Sequence, residues 1–264
     1  MAKRDRVLIT GASSGIGEAL ARRFAAAGHD LVLVARRRAK LKALAAALES
    51  KHGIRAAVEV ADLAKPGAAA KLAAKLAKRR VVVDILVNNA GINAQGRFHE
   101  MPPEENLDIV ALNVTAATEV LAAFLPSMTK RGHGRVLNVA SASSFVPVPY
   151  MATYAASKAY LLSLTESLAE ELDGTGVTIT ALCPGVTDTP MLTYMEKQDP
   201  AFTRLISLTV ADVHAVAAEG FDACMAGEVI RVPGIVNLLA TISARAVPRW
   251  VVRRVSGFLG RTTH

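Results

Sequence analysis

Three residues near the middle of the chain could do acid–base chemistry together: Ser141, Tyr154 and Lys158. Tyr154 and Lys158 stand four apart in T-Y-A-A-S-K-A-Y-L-L-S-L. That stretch reads as a helix, so both side chains leave one face. A phenol with a pKa of ~10 is a poor catalyst at neutral pH. A fixed cation beside it favours the phenolate and brings the group towards the range a general acid or base needs. Ser141 closes the apolar run R-V-L-N-V-A. A loop can fold its hydroxyl back towards Tyr154, as a hydrogen-bond donor to a carbonyl oxygen. By itself Y-x-x-x-K also describes an ordinary surface pair, so the rest of the chain must supply the context.

The chain has 264 residues, 52% of them hydrophobic, which is ample for a substantial core. No uninterrupted apolar run approaches the ~20 residues of a membrane span. The N-terminus M-A-K-R-D-R-V-L-I-T lacks the apolar segment of a signal peptide, so a cytoplasmic protein is expected. Cys183 and Cys224 give neither a disulfide framework nor a metal-ligand spacing, which fits a reducing compartment. The histidines form no pair or cluster at ligand spacing, and no metal site is expected. The net charge of +8 is unevenly placed: residues 229–264 carry six Arg and no Asp or Glu. The nearly neutral body speaks against nucleic-acid binding, which would ask for a basic face with aromatics.

In chain order, R-V-L-I-T (6–10) is a strand, G-A-S-S-G-I-G (11–17) a glycine turn, and Ile16, Leu20 and Phe24 mark a helix that stops at Gly28. Such a turn brings backbone N–H groups and a helix N-terminus up to a pyrophosphate. L-V-L-V-A-R (31–36) is a second strand. An acid near its end would bond the adenosine ribose of NAD(H), whereas an arginine accommodates the 2′-phosphate of NADP(H). The end reads Ala35-Arg36-Arg37-Arg38, and Asp30 lies at the other end. Guanidinium forks suit phosphate. Arg36 is the expected ligand, Arg37 serves either the phosphate or a solvated helix turn, and Arg38 belongs to that turn. A third strand (56–63) ends in Asp62-Leu63, where the acid could reach an adenine amino group, and a helix with Leu72 and Leu76 follows. D-I-L-V-N-N-A-G (84–91) ends in Asn88 and Asn89, suited to holding neighbouring strands. Residues 103–130 read as a long helix with Leu107, Val110, Val114, Leu121, Phe124 and Met128 on one face, interrupted by Asn113. The strand V-T-I-T-A-L-C-P-G (177–185) closes on Pro184-Gly185. Alternating strands and helices without repeats predict an α/β fold with a doubly wound parallel sheet, in one domain over 1–264. Its core covers about 5–232 and a basic helical extension about 233–264.

T-G-A-S-S-G-I-G (10–17), N-N-A-G (88–91), Ser141, Y-A-A-S-K (154–158) and P-G-V-T-D-T (184–189) occur in the order and spacing of the short-chain dehydrogenase/reductase family, which this chain resembles over about 5–190. The resemblance implies a Rossmann-type fold with seven parallel strands, and hydride transfer between a nicotinamide and a carbonyl or alcohol. It also implies residue roles. Tyr154 would be the general acid in reduction. Lys158 would bond the nicotinamide ribose and lower the Tyr154 pKa. Ser141 would orient the carbonyl, and Asn113 would hold a water in the proton relay. Gly11, Gly15, Ile16 and Gly17 would line the pyrophosphate, with Ser14 in the same loop. Asp62 and Leu63 would meet the adenine, and Asn89, Ala90 and Gly91 the ribose region. Pro184, Gly185, Thr187 and Thr189 would flank the carboxamide. Ser13 and the arginine after the second strand would take the 2′-phosphate, so NADP is the expected cofactor. Assembly into homodimers or homotetramers is implied as well.

Phe145, Val146, Val148 and Met151 before Tyr154, and Met191, Leu192, Tyr194, Met195 and Phe202 after Thr189, are either core or an apolar pocket for a lipophilic ketone, acyl chain or steroid-like skeleton. A catalytically silent NADP(H)-binding regulator on the same fold is the alternative, although such a protein would not need both Tyr154 and Lys158. The tail reads as two short helices, 234–244 and 247–260. The second carries Val247, Val251, Val255 and Phe258 as a stripe and Arg245, Arg249 and Arg253 on another face. That stripe could cap the pocket, meet another subunit, or lie in a membrane interface. Packing on protein is expected ahead of lipid.

Overall fold

The computed structural model describes residues 4–198 and 210–261. Each apolar run becomes a strand, β1 (Arg6–Thr10), β2 (Asp30–Ala35), β3 (Ala56–Val60), β4 (Ile85–Asn88), β5 (Gly134–Val139) and β6 (Val177–Leu182), and a short β7 (Ile230–Arg231) that no run had marked joins them. They form one parallel seven-stranded sheet in the order β3-β2-β1-β4-β5-β6-β7. The chain starts in the middle, winds outwards to β3, and returns past β1 to wind the other way. A crevice therefore opens between β1 and β4, beyond the carboxyl ends of the strands.

Parallel strands are buried on both faces, which is why they read as continuous apolar runs. On one face Val7, Ile9, Leu31, Leu33 and Val87 pack under α1 (Gly15–Ala26), α2 (Arg38–His52) and α8 (Val213–Ala226). On the other, Leu8, Val32, Val34, Leu86 and Val136 pack under α3 (Ala68–Lys78), α5 (Ala117–Arg131) and the end of α6 (Ala152–Glu171). Leu20 and Phe24 are fully buried on the inner face of α1, as their spacing predicts, and Asp30 is spent at the far end of β2 on Arg55.

The long helix departs from its predicted face. It runs as α4 (Pro103–Ile109), a π-helical turn (Val110–Ala116) and then α5. Leu107 and Val110 are 65% and 41% exposed, while Ile109, Asn113 and Ala116 are buried. A uniform 3.6-residue period cannot hold across a π turn, which takes more residues per turn and shifts the phase. Beyond it Leu121, Phe124 and Met128 face the sheet as expected. The stretch Pro103–Arg131 is long and apolar enough to cross a bilayer by length and composition. Its second half nevertheless packs into the core.

The tail forms α9 (Ile235–Ala246) and α10 (Arg249–Arg261), with α7 (Pro190–Gln198) preceding the undescribed stretch. Among the described side chains its predicted apolar stripe is not a packed face. Val247 precedes α10, Val255 is exposed and Val251 only half-buried, while the side chains of Arg245 and Phe258 lie outside the described set. Phe202 also lies outside the described residues.

Candidate active site

The crevice is a cavity of about 340 Å³ that runs from the loop after β2 to the start of α6. Its floor is the glycine turn. Gly11 has φ +67°, and a Cβ there would stand 2.7 Å from Asn89 Nδ2. A Cβ on Gly17 would overlap both Asn89 and the Gly11 carbonyl. The turn after β1 and the loop after β4 thus press directly on each other. Thr10 locks them: its Oγ1 accepts from the Asn89 and Ala90 N–H groups at 2.9 Å each, and Asn89 Nδ2 donates to the Thr10 carbonyl at 2.8 Å. Gly17 does not line the cleft; it allows the packing behind it. Ser14 is the N-cap of α1 without a side-chain cap bond, so the first N–H groups of that helix are left for a ligand. Ser13, Ser14, Gly15 and Ile16 line the cleft at this point.

At the β2 end of the cleft Arg36 and Arg37 both line it, but they are not equivalent. Arg37 reaches back over the turn: its Nε and a terminal nitrogen donate to Ser13 Oγ at 3.0 and 2.7 Å, and the same nitrogen to Ser14 Oγ at 2.6 Å. Both expected arginines thus reach the cleft, and Arg37 is the one that bonds the Ser13–Ser14 turn. The reason is local: Arg37 is the N-cap of α2, and from there its side chain turns onto the Ser13–Ser14 hydroxyls. Arg38 is the first residue of α2 and is exposed, as expected. Asp62 and Leu63 line the opposite wall, with Asp62 Oδ1 accepting from the Ala64 N–H at 3.3 Å.

At the other end stand the residues of the acid–base proposal. β5 delivers Ser141, whose Oγ caps the following turn by accepting from the Ser143 N–H at 3.1 Å. Ser141 also hydrogen-bonds Tyr154. Lys158 lies one turn along α6, only 5% exposed, with its Nζ 5.7 Å from the Tyr154 ring centroid and donating to the Val139 carbonyl at 2.9 Å. Burial holds the Tyr154 phenol above its ordinary value, and the Ser141 hydrogen bond opposes this. The expected lowering by Lys158 is absent here. That ammonium is turned to a backbone carbonyl and is itself pulled down by burial to about 8.

Asn113 sits in the π turn, buried, and is bonded both ways to Ile92: its Oδ1 accepts from the Ile92 N–H and its Nδ2 donates to the Ile92 carbonyl, each at 2.9 Å. Its Nδ2 also meets Ser157 Oγ at 3.1 Å, and Ser157 Oγ donates to the Tyr154 carbonyl at 2.7 Å. Asn113 and Lys158 converge over Gly91: a Cβ on that glycine would stand 3.2 Å from Asn113 Oδ1 and 3.4 Å from Lys158 Nζ. Ala90, Gly91, Pro184, Gly185, Thr187 and Thr189 line the cleft alongside. Ser141 and Asn113 are not among the residues that line it. Of the expected apolar residues, Met151, Met191, Leu192 and Met195 line the cleft; Val146, Val148 and Tyr194 do not, and Phe145 packs into a small core cluster. Sequence reasoning gave no role to Thr10, Ser157 or Asn237. Thr10 stands inside the quoted glycine motif and was the one with a readable signal. Asn237, from α9, lies directly over Gly185.

The buried ammonium has a thermodynamic consequence. A lysine whose folded pKa lies below its unfolded 10.5 opposes folding wherever it is charged: fully below pH 8, and less as pH rises towards 10.5. Replacing Lys158 with Met should therefore help stability more at pH 7 than at pH 9.5. The gap between variant and wild type should narrow by about 2 kcal/mol across that range. Urea unfolding of the cofactor-free proteins at both pH values measures it, and a pH-independent gap would show that Lys158 is not desolvated.

Among the described residues, Asp5, Asp84 and His133 form one carboxylate–imidazole group within metal-ligand reach. It lies at the amino ends of the strands, away from the cleft, and Asp84 already accepts from the Arg6 N–H at 2.9 Å.

Residues 5–200 match the short chain dehydrogenase family model. The chain is 34% identical over 214 residues to a D-beta-hydroxybutyrate dehydrogenase from Rhizobium meliloti, covering 78% of this chain and 79% of that protein. It is 37% identical over 174 residues to a very-long-chain 3-oxoacyl-CoA reductase from Laccaria bicolor, covering 65% of this chain and 52% of that one. Among solved structures, a short-chain dehydrogenase from Sphingobium yanoikuyae in complex with NADPH superposes with a TM-score of 0.80 at 34% identity, covering 92% of this chain and 94% of that chain.

Proposed function

The chain belongs to the short-chain dehydrogenase family, and from that premise we propose that it is an NADP(H)-dependent oxidoreductase acting on the carbonyl or alcohol of a lipophilic small molecule, such as an oxoacyl, bulky ketone or steroid-like compound. The observation that carries the reading is the meeting of Ser141, Tyr154 and Lys158 at one end of a cleft whose other end is a glycine turn with unspent helix N–H groups. The residues fit a dinucleotide: the α1 N-terminus for the pyrophosphate, Asp62 for the adenine, and Arg37 with Ser13, Ser14 and Arg36 for a 2′-phosphate. The nicotinamide, when bound, supplies or accepts the hydride.

Tyr154 is the proton donor of the reduction. Burial keeps the phenol protonated, which is the form able to give a proton to a carbonyl oxygen as charge develops on it. Ser141 Oγ orients that oxygen beside the phenol. Lys158, beside the Tyr154 ring, bonds the nicotinamide ribose. Asn113, fixed on Ile92 and Ser157, positions the Lys158 end of the proton path. Met151, Met191, Leu192 and Met195 give the carbonyl side an apolar wall with adaptable side chains. On this reading 1–264 is one catalytic unit in the cytoplasm, working as a homodimer or homotetramer. Two buried free thiols accord with a reducing compartment.

NADPH oxidation against a panel of ketones, aldehydes and oxoacyl thioesters tests the function directly. The cofactor choice is tested by titrating NADPH and NADH. NADPH is expected to bind the tighter, and Arg37→Ala to remove about 1.5–3 kcal/mol of that preference, or about tenfold to a hundredfold. Arg36→Ala should cost less. Equal binding of the two cofactors by the wild type would overturn the assignment.

A further inference from the structure

The wall of the active-site cleft has a second side. The Gly96 N–H donates to the Tyr150 carbonyl at 2.9 Å, tying the segment after β4 to the turn before α6. On the inner side of these two segments, Asn93 and Met151 line the cleft. On the outer side, Arg97, Phe98, His99 and Tyr150 line a groove of about 740 Å³, closed by Arg253 and Arg254 of α10. Tyr150 holds a left-handed backbone, φ +65°, which is costly for a bulky residue and marks a position fixed by its surroundings. The chain passes there from groove to cleft between one residue and the next, and Tyr154 follows one helical turn later.

The charge of the groove is one-sided. Glu100 pairs with Arg97 at 3.3 Å and lies 3.5 Å from His99, and Arg97 also donates to the Tyr150 phenol. Arg253 and Arg254 pair with no carboxylate among the described residues. The whole tail offers none, with six Arg and no Asp or Glu from 229 to 264. Unpaired guanidinium forks at the rim of a concave site suit phosphate oxygens.

We propose that this groove is an anion subsite that holds the phosphate groups of the carrier on which an oxoacyl substrate arrives, with the acyl part passing Met151 to reach Tyr154. The proposal rests on the reading above, that the cleft reduces a lipophilic carbonyl, and names the substrate class. A lipid headgroup offers the same phosphate chemistry, but concavity and a wall shared with the cleft favour a soluble carrier.

The test uses the full chain saturated with NADP⁺, so that the cofactor's own phosphate sites are filled, titrated calorimetrically with coenzyme A. Binding is expected to weaken steeply with salt, and Arg253→Ala/Arg254→Ala should weaken it tenfold or more with NADPH affinity unchanged. In turnover, the same double variant should lower kcat/KM tenfold or more for a 3-oxoacyl thioester of coenzyme A. It should leave that of the same acyl group on phosphate-free N-acetylcysteamine unchanged. No binding of coenzyme A to the wild type, or equal binding by the variant, overturns the subsite. Reduction of a simple ketone but of neither thioester overturns the oxoacyl assignment. Arginine-dependent pelleting with phosphatidylglycerol vesicles in the absence of coenzyme A binding transfers the groove to lipid and overturns the proposal. If the wild type reduces no carbonyl compound while coenzyme A binding stays arginine-dependent, the anion site stands and the reductase reading fails.

Discussion

Tyr154→Phe should lower kcat by about a thousandfold on any substrate the wild type reduces, since a positioned general acid contributes 10²–10⁴. The substitution is confined to one oxygen. The ring stays in its buried place above Lys158, and Ser141 keeps its bond to the Ser143 N–H. NADPH binding should therefore change less than twofold, because Arg37, Ser13 and the α1 N-terminus are untouched. Turnover and fluorescence titration of the same preparation separate the two effects. A variant running near the wild-type rate would remove Tyr154 from the mechanism.

Removal of residues 235–264 should be the next most damaging change, through the opposite end of the chain. Asn237 lies over Gly185, in the loop that lines the cleft with Thr187 and Thr189, and its Nδ2 donates to the Pro233 carbonyl at 2.9 Å. Thr241, one turn on, is buried with its hydroxyl on the Leu238 carbonyl at 2.8 Å. α9 also packs against the turn (Ala142–Phe145) that carries the cap from Ser141. Truncation removes the contacts on both the Gly185 loop and the Ala142–Phe145 turn at once. A loss of about 2 kcal/mol, or roughly 4–8 °C in Tm for a chain of this size, is expected. Activity should fall at least as far as the folded fraction. A soluble, fully active 1–234 fragment with unchanged Tm would show that the tail supports neither loop.

The sheet was legible because a parallel strand buried on both faces leaves an unbroken apolar run, and six such runs alternate with helical patterns, whereas the two-residue β7 is too short to leave one. Tyr154 and Lys158 were legible as a pair because one helical turn fixes their relation. The direction of the Lys158 ammonium was not, since it depends on the Val139 carbonyl arriving from β5. Arg37 was harder to separate from Arg36. Adjacent residues differ in aim by the backbone at the strand's end, where β2 stops at Ala35 and Arg37 becomes a helix cap. Asn237 had no signal at all: its importance lies in the empty space above Gly185, which only the folded chain supplies.

The π turn at Val110–Ala116 makes this part of the chain intolerant of length rather than of composition. It lets Asn113 aim at Ile92 while Val120, Leu121, Phe124 and Met128 still meet the sheet. Deleting one residue of it would restore ordinary winding and leave the flanking helices in one continuous phase, but it would remove the wider turn that aims Asn113. The amide would then be out of step while the core face stayed in place. Single-codon deletions here should be purged where many point substitutions survive, so the stretch behaves in inheritance as a reading frame within the fold.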